Sequence, residues 1–543
     1  MAGSDARGSA SRGTVVTTFV AFVILVNAIV GPGMLAIPTV FQRAGWALTA
    51  TAIAVGGYVT FETCTFLYET TRLVETDPRL GGTGTEGTNE DGSRDYGAVD
   101  DVIDEATELV EVRDKNPADA LLVNTWEFEH LAKRLFGEAA GRATSIFVIT
   151  ALITLANAQI VVTSQALDGL IVFVFGTTFG IQYAPEWDLI ASSVLGLHPF
   201  GTGVHAVTLG FVANAGIVIT LATGGLSGNI TPQVVSFWTL SVTMVIFVVH
   251  FLNPNIDDDP IDFQADNPPS WGTDASVVPG VVIFNFALPI ICPEVIAARA
   301  PGVNFKSALG WAVVFAVLAF LVIGYFGSLA YPEATDNILV SVLYDSAPLI
   351  SKVAVFGFSF TQVMTLPIYP ILIRSNVLNA GLCGESYIWI ISHALPWVIA
   401  SMVYMQAWFV TVINWSSLVF LGVINYSIPL ALYIRAASLS RDRSDASQST
   451  ENTEDDCDRE GRESKGAERD VSLRTLMTMC SKDRQVAVAA SYFVVMNVVV
   501  LFGIVFSLRQ TEGAVTERRS NADSEDTKIY WSLRGGFVEL STS

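Results

Sequence analysis

Two apolar stretches of the chain contain residues that interrupt helices. The first, "LVNAIVGPGMLAIP", places Asn27 shortly before a Gly-Pro-Gly triplet at 31–33. The second, "VVPGVVIFNFALPIICPEV", contains Asn285 and the proline-rich region 289–294. Glycine and proline disrupt helical hydrogen bonding, so backbone groups near each break lose their partners. Free amide hydrogens bind anionic groups and free carbonyl oxygens bind cations, so both stretches are candidate ligand-binding segments.

The apolar residues occur in runs long enough to cross a membrane. Hydrophobic residues make up 51% of the 543 residues, charged residues 15%, and the mean hydropathy is +0.48. A helix of about 20 apolar residues spans a bilayer. The sequence therefore predicts an all-α polytopic membrane protein with about eleven transmembrane helices, at 15–37, 45–69, 146–176, 204–223, 236–252, 277–297, 308–330, 349–372, 387–404, 408–434 and 486–507.

Basic residues indicate the orientation of the chain. If the N-terminus is cytoplasmic, three of the outer loops, at 178–203, 253–276 and 327–348, contain no Lys or Arg. Most basic residues then lie in inner loops, with Arg43 and Lys352 as exceptions. Cytoplasmic loops of membrane proteins carry an excess of Lys and Arg, so we predict a cytoplasmic N-terminus.

The two breaks occupy equivalent positions along the chain. An interrupted helix is tolerated in hydrocarbon only where its free backbone groups meet protein or a water-filled cavity. Runs one and six are each the first of five runs, and an eleventh follows. Interrupted helices at matching places in two halves are typical of transporters built from inverted repeats, with the ligand near the bilayer midplane. A kinked helix without a ligand is the alternative interpretation.

Four motifs resemble the amino acid/auxin permease family of secondary amino acid transporters. "NAIVGPGMLAIPTVFQRAGW", from Asn27 to Trp46, resembles the signature of its first helix. The other three, in the same order as in the family, are "WEFEHLAKRLFGEAAGR", "GYFGSLAYPEATDNILVSV" and "TLPIYPILIR". The chain departs from the family in its long inner loops, in Pro32 within the glycine pair, and in its polar tail. The resemblance covers all eleven runs and implies a leucine-transporter-like 5+5 inverted repeat with broken helices 1 and 6.

The resemblance also implies roles for individual residues. Gly31, Pro32 and Gly33 would let the backbone approach the carboxylate of a substrate. Asn27 matches the residue that helps to hold a coupling cation in sodium-driven members, and Thr361 and Thr365 are candidates for hydroxyls at the same site. The side chains that flank the second break, and that would contact the substrate, are Phe284, Asn285 and Phe286.

Acidic residues inside the predicted spans offer a second way to couple transport to an ion. Glu62, Asp168 and Glu294 are ionisable groups in apolar surroundings, and such groups are functional candidates by default. Glu294 follows the second break directly, so it is the best placed of the three, whereas local pairing or snorkelling is the alternative for Glu62. Either H⁺ or Na⁺ fits the residues, and the number of intramembrane acids favours protons.

The predicted function is secondary active transport of small neutral amino acids by alternating access. An enzyme would need clustered catalytic side chains, whereas the five histidines are scattered, so we predict no catalytic residues, no cofactor and no bound metal. A metal-ion transporter would place an acid beside the first break, and 27–35 contains none. An amino-acid-sensing receptor with little flux is the remaining alternative. The resemblance also implies a monomer in the plasma membrane or a vacuolar or lysosomal membrane, without a nucleic-acid partner.

The predicted organisation follows from these assignments. The net charge of −22 is concentrated in polar loops, which are predicted to be disordered. We expect a cytoplasmic N-terminus at 1–14, a transporter core at 15–434 with a cytoplasmic insertion at 70–143, a cytoplasmic loop at 435–485, helix 11 at 486–507 and an outer or lumenal tail at 508–543.

Overall fold

The computed structural model of the protein consists almost entirely of apolar helices. It describes residues 16–76, 127–184, 186–195, 199–201, 204–223, 228–252, 268–299, 302–332, 349–404, 415, 417–441, 484–501 and 504, and the backbone of 530–534 and 537–541. The predicted N-terminus and most of the two acidic loops lie outside these residues. Within the described chain, seven helices are long and apolar enough to cross a membrane, and one bent pair makes an eighth. Shorter apolar helices complete the set.

Eleven helical segments follow one another in the predicted order, and they are numbered here as segments 1 to 11. They comprise Thr18–Ile29 with Pro32–Ala44, Trp46–Thr76, Glu138–Phe175, Leu209–Ala222, Ile230–Leu252, Val277–Asn285 with Cys292–Ala297, Phe305–Ala330, Leu349–Thr365 with Ile368–Asn379, Glu385–Trp389 with Leu395–Val403, Ser417–Arg441 and Arg484–Leu501. The all-α polytopic fold with breaks in segments 1 and 6 is confirmed.

Contacts between segments repeat after a shift of five. Segment 1 contacts segments 5 and 7, and segment 6 contacts segments 10 and 2 in the same way. Segment 8 contacts segments 4 and 5, and segment 3 contacts segments 9 and 10. Because five is an odd number of membrane crossings, equivalent segments run in opposite directions. The contact pattern therefore has the form of a 5+5 inverted repeat, with segment 11 outside it.

Capping residues and glycines define the corners between segments. Gly45 (φ 90°) separates segments 1 and 2, and Gly137 (φ 94°) separates the short helix Phe128–Phe136 from segment 3. A positive φ is readily adopted only by glycine, so the chain can turn sharply at these positions. Arg43, an exception to the charge distribution, pairs with Asp274 at 2.5 Å near the first of these corners.

Several predicted boundaries differ from the structure. Segment 2 continues to Thr76 and segment 3 begins at Glu138, because both helices extend beyond their apolar runs. The predicted helix at 204–223 begins as a strand, and the helix itself starts at Leu209 after Thr208, whose hydroxyl accepts a hydrogen bond from the amide of Phe211.

Strands are also present where none was predicted. The loop after segment 3 forms a three-stranded antiparallel sheet of β1 (Thr178–Ala184), β2 (Asp188–Ser192) and β3 (His205–Thr208), in the order β2-β1-β3. The tail contains a two-stranded hairpin of β4 (Tyr530–Arg534) and β5 (Phe537–Ser541).

Candidate functional site

The break in segment 1 forms where the Gly-Pro-Gly triplet was predicted to interrupt the helix. The first helix ends at Ile29, a short 3₁₀ turn covers Pro32–Ala36, and the two halves of the segment are bent by 45°. Pro32 has no amide hydrogen, so the normal helical donor to the carbonyl of Ala28 is missing. The carbonyl of Val30 instead accepts a hydrogen bond from the side chain of Gln362 in segment 8.

The break in segment 6 extends over several residues. The first helix ends at Asn285, with Phe286 as its cap, and the second helix begins at Cys292. Pro289 lies in the turns between them and supplies no amide hydrogen. Asn285 donates to the carbonyl of Val281 at 2.9 Å, while its Oδ1 atom has no hydrogen-bond partner among the described residues.

The two breaks lie against each other. A Cβ atom added to Gly33 would be 2.6 Å from Cδ1 of Phe284 and 2.7 Å from Oδ1 of Asn285. A Cβ atom added to Gly31 would meet no atom within 4 Å. The close contact therefore depends on glycine at 33, whereas the backbone at Gly31 borders open space.

A small cavity lies between the breaks and segments 3 and 8. Its volume is about 10 Å³, enough for about one water molecule. The side chains and backbone that line it belong to Ala28, Ile29, Gly31, Pro32, Leu155, Gln159, Phe284, Asn285, Ala287, Ile291 and Tyr369. Its polar groups are amides, a phenol and backbone atoms, and none of these lining residues carries a carboxylate, imidazole, thiol or guanidinium group.

The predicted substrate residues divide around this cavity. Four of them, Gly31, Pro32, Phe284 and Asn285, line the cavity. Gly33 does not line it but packs closely against Phe284 and Asn285. Phe286 faces away, because its ring packs edge-on against Phe320 and it borders a second small apolar cavity. Gln159, Leu155 and Tyr369 were missed. Gln159 carried a detectable signal, since an amide inside an apolar span is costly unless it finds partners.

The predicted sodium residues are held by a network of amides. Nδ2 of Asn27 donates to both the carbonyl and Oε1 of Gln233 at 2.8 Å. Gln233 in turn donates to the carbonyl of Met364 at 3.1 Å. Segment 1 is thereby tied to segments 5 and 8 through two buried amides.

The same network covers the hydroxyls of segment 8. Gln159 donates to Oγ1 of Thr365 at 2.5 Å and to the carbonyl of Gln362 at 2.6 Å. Thr361 donates to the carbonyl of Phe358, within its own helix. The structure therefore brings Asn27, Thr361 and Thr365 into one region. An amide donor occupies Oγ1 of Thr365 there, while Oδ1 of Asn27 has no hydrogen-bond partner among the described residues.

Asp168 does not border the cavity. Its carboxylate accepts hydrogen bonds from Thr178 at 2.9 Å, from the backbone amide of Gly210 at 2.8 Å and from Tyr404 at 2.7 Å. Thr208 also donates to it. The side chain is completely buried, and it joins segment 3 to the sheet, segment 4 and segment 9. Four hydrogen bonds to one buried carboxylate hold these elements together, so Asp168 has a structural role.

Glu294 also lies outside the cavity lining, in the second half of segment 6. Its buried carboxyl group interacts with that of Glu127, which immediately precedes the short helix Phe128–Phe136. Ser375 of segment 8 donates a hydrogen bond to Glu127. Glu127 was missed by the sequence analysis because it falls in a polar loop, where acids are common.

Comparisons with known proteins leave the family unassigned. No protein-family model and no curated protein matches the chain. A manganese transporter of Eremococcus coleocola, solved with an aromatic bis-isothiourea compound, is similar in structure, with 10% identity, a TM-score of 0.41 and coverage of 91% of this chain and 97% of that chain. A mutant of the same transporter gives 9% identity, a TM-score of 0.42 and coverage of 90% and 95%.

Proposed function

We propose that the protein is a secondary active transporter of small neutral amino acids, that it works by alternating access, and that it is coupled to protons. The observation that carries the proposal is the meeting of two broken helices around a cavity lined by dipoles without a charged side chain. A zwitterion brings one positive and one negative charge, so it needs oriented dipoles for both ends and no fixed net charge.

The lining supplies groups for both ends of such a substrate. The turn at Gly31 offers backbone approach for a carboxylate, because no atom lies within 4 Å of the place where a Cβ atom would be. Oδ1 of Asn285 and the carbonyl of Ala28 are acceptors for an ammonium group. Phe284 and Tyr369 are large aromatic side chains on the same cavity, so we propose a substrate with a small side chain.

The amide network supports protons over sodium as the coupling ion. Sodium needs several oxygen ligands, and the carbonyls of Val30 and Gln362 with Oγ1 of Thr365 would be suitable. Each of these oxygens already accepts a hydrogen bond from Gln159 or Gln362. A sodium ion would compete with these buried donors, and any donor that it displaced would be left without a partner.

The contact between Glu127 and Glu294 supplies the proton site of the proposal. Two adjacent buried carboxyl groups repel each other when both are ionised, so the pair is held together by retaining a proton. Loss of that proton would separate the short helix Phe128–Phe136 from segment 6. This links a proton to the position of the helix whose break borders the cavity.

Uptake into proteoliposomes tests the proposal. A panel of labelled amino acids would be offered with an imposed pH gradient, with a sodium gradient, and with neither. We expect accumulation of a small neutral amino acid under the pH gradient only. Saturable binding without uptake would instead identify a sensor, and uptake of Mn²⁺ without any amino acid would identify a metal-ion transporter.

The coupling ion is tested by Glu294→Gln, which keeps the shape of the side chain but cannot titrate. We expect loss of pH-driven accumulation while exchange of external for internal substrate continues. Glu62→Gln, a matched change in segment 2, serves as the control and should leave both activities intact. Sodium-driven uptake at constant pH that survives Glu294→Gln but is lost in Asn27→Ala would show that sodium is the coupling ion.

A further inference from the structure

The sheet β2-β1-β3 has two faces of opposite character. Cross-strand pairs place residues on a common face: Phe179 lies opposite Ala191, and Ile181 lies between Leu189 and Val207. The alternate positions of β1 and β3, which include Thr178, Gly180, Ala206 and Thr208, form the other face. All of these positions are set by the backbone register.

The face with the small residues is fastened to the helices. Thr178 and Thr208 both donate to the buried carboxylate of Asp168. At Gly180, an added Cβ atom would be 3.3 Å from Thr208, so the sheet is closely packed there. Tyr183 further donates to the carbonyl of Ser401 in segment 9 at 3.0 Å. The sheet is therefore fixed in orientation relative to segments 3 and 9.

The other face presents large apolar side chains outward. The exposed fractions are 48% for Phe179, 50% for Ile181 and 71% for Leu189, and Trp187 in the β1–β2 turn is 81% exposed. An antiparallel sheet with one face in water normally has apolar residues inside and polar residues outside. Here the order is reversed at most positions: Thr178, Ala206 and Thr208 are buried, and Phe179, Ile181 and Leu189 are exposed, while Ile190 and Val207 are half-buried.

This apolar face continues the outer surface of two helices. Segment 3 ends with exposed Val174 and Phe175 directly before β1, and segment 4 begins with exposed Leu209 directly after β3. Segment 3 is one of the helices able to span the membrane, so its exposed apolar side chains face lipid. The sheet is separated from that lipid-facing surface by only two residues.

We infer that the apolar face of the sheet lies on the bilayer, in contact with lipid at the boundary between headgroups and acyl chains. Apolar side chains at this depth are stabilised by burial, and tryptophan is favoured at the headgroup level, which fits Trp187 at the tip of the hairpin. The partner is the lipid surface, rather than a second copy of the chain or water. The inference is independent of the proposed substrate.

Depth measurements with a nitroxide label test this inference. Single cysteines would be introduced as Ile181→Cys and Leu189→Cys in the full chain, after replacement of Cys383, Cys457 and Cys480 by Ser; Cys64 and Cys292 are buried and remain. The protein would be placed in nanodiscs of phosphatidylcholine and phosphatidylglycerol. Collision with oxygen, which concentrates in lipid, is then compared with collision with a water-soluble nickel chelate.

Two controls calibrate the measurement. Val174→Cys marks the lipid-facing surface of segment 3, and Asp188→Cys marks an exposed polar position next to Leu189. We expect the labels at Ile181 and Leu189 to match the Val174 label, with an oxygen-to-nickel collision ratio several-fold above that at Asp188. Ratios equal to that at Asp188 would place the face in water and overturn the inference. Protection from both reagents, or dipolar coupling between labels on different copies, would overturn it in favour of a protein partner.

Discussion

Gly33 and Gly31 are only two residues apart, but their surroundings differ completely. An alanine methyl group at 33 would overlap Phe284 and Asn285, whereas the same group at 31 meets nothing within 4 Å. Overpacking of a close contact costs about 1–3 kcal/mol. We therefore expect Gly33→Ala to lower the thermal unfolding midpoint in nanodiscs and Gly31→Ala to leave it nearly unchanged. Equal midpoints for the two variants would mean that the breaks do not touch as described.

The carboxylate of Asp168 accepts hydrogen bonds from four donors, and an uncharged side chain of the same size cannot accept all four. Asp168→Ala would leave these buried donors without an acceptor, at a cost of about 3 kcal/mol or more. Asp168→Asn should recover only part of the loss, since its amide nitrogen would face donors. A thermal shift assay is the measurement, and Asp188→Ala, an exposed acid on the sheet, is the control expected to change stability by less than about 0.5 kcal/mol.

At the scale of residues, the sequence predicted those features that depend only on residues close together in the chain. Helix interruption follows from the residues at 31–33 and at Pro289, so both breaks were found. The glutamines at 159, 233 and 362 were not found, because their partners come from segments up to 332 positions away in the chain. A sequence shows that a buried amide needs a partner, but only the fold determines which one it has.

At the scale of elements, the short helix Phe128–Phe136 contains a group that should make stability depend on pH. Burial raises the pKa of Glu129, and a contact with Ser145 opposes this effect. A carboxyl group whose folded-state pKa is raised stabilises the fold below its unfolded pKa, and that contribution is lost as pH rises through the folded-state pKa. We expect Glu129→Gln to unfold at a higher temperature than the parent at neutral pH.

The difference between Glu129→Gln and the parent should disappear at about pH 3, well below the unfolded pKa of about 4.3, where Glu129 is protonated in both the folded and the unfolded chain. Burial lowers the pKa of the neighbouring His130, whose protonation destabilises the fold in the acidic range. Because His130 is present in both proteins, its effect cancels in the comparison. A gain from Glu129→Gln that is independent of pH would contradict the prediction.

Strand β3 illustrates why element types were harder to predict than element positions. The sequence "HAVTLGFVANAG" is mainly apolar, and a short stretch of this kind does not distinguish a buried strand from a helix. The change occurs at Thr208, which both contacts Asp168 and caps segment 4. Since Asp168 lies 40 residues earlier, the local sequence contains no sign of the contact.

At the scale of the whole molecule, the order of the eleven segments was predictable and their pairing was not. Hydropathy gives length and position, and the two breaks indicated a repeat of five. The contacts that demonstrate the repeat join residues far apart in sequence, such as those of segments 5 and 8. They depend on side-chain packing, for which hydropathy is too coarse a description.

Deletion of the insertion between segment 2 and the short helix Phe128–Phe136 tests whether transport needs this part of the chain. Residues 78–119 lie outside the described part of the chain and lack hydrophobic periodicity. We expect their deletion, with 126–142 intact, to keep uptake within a few-fold of the parent. Loss of all uptake in a correctly inserted protein would show that the insertion takes part in transport, and would favour the sensor.

The size of the cavity links affinity to conformational equilibrium. A space of about 10 Å³ cannot hold an amino acid, so this conformation does not bind the proposed substrate and a wider one must. The apparent dissociation constant then equals the intrinsic one divided by the population of the wider state. A variant that favours separation of Gly33 from Phe284 should therefore bind every substrate more tightly, and by the same factor, without any change in the groups that touch them.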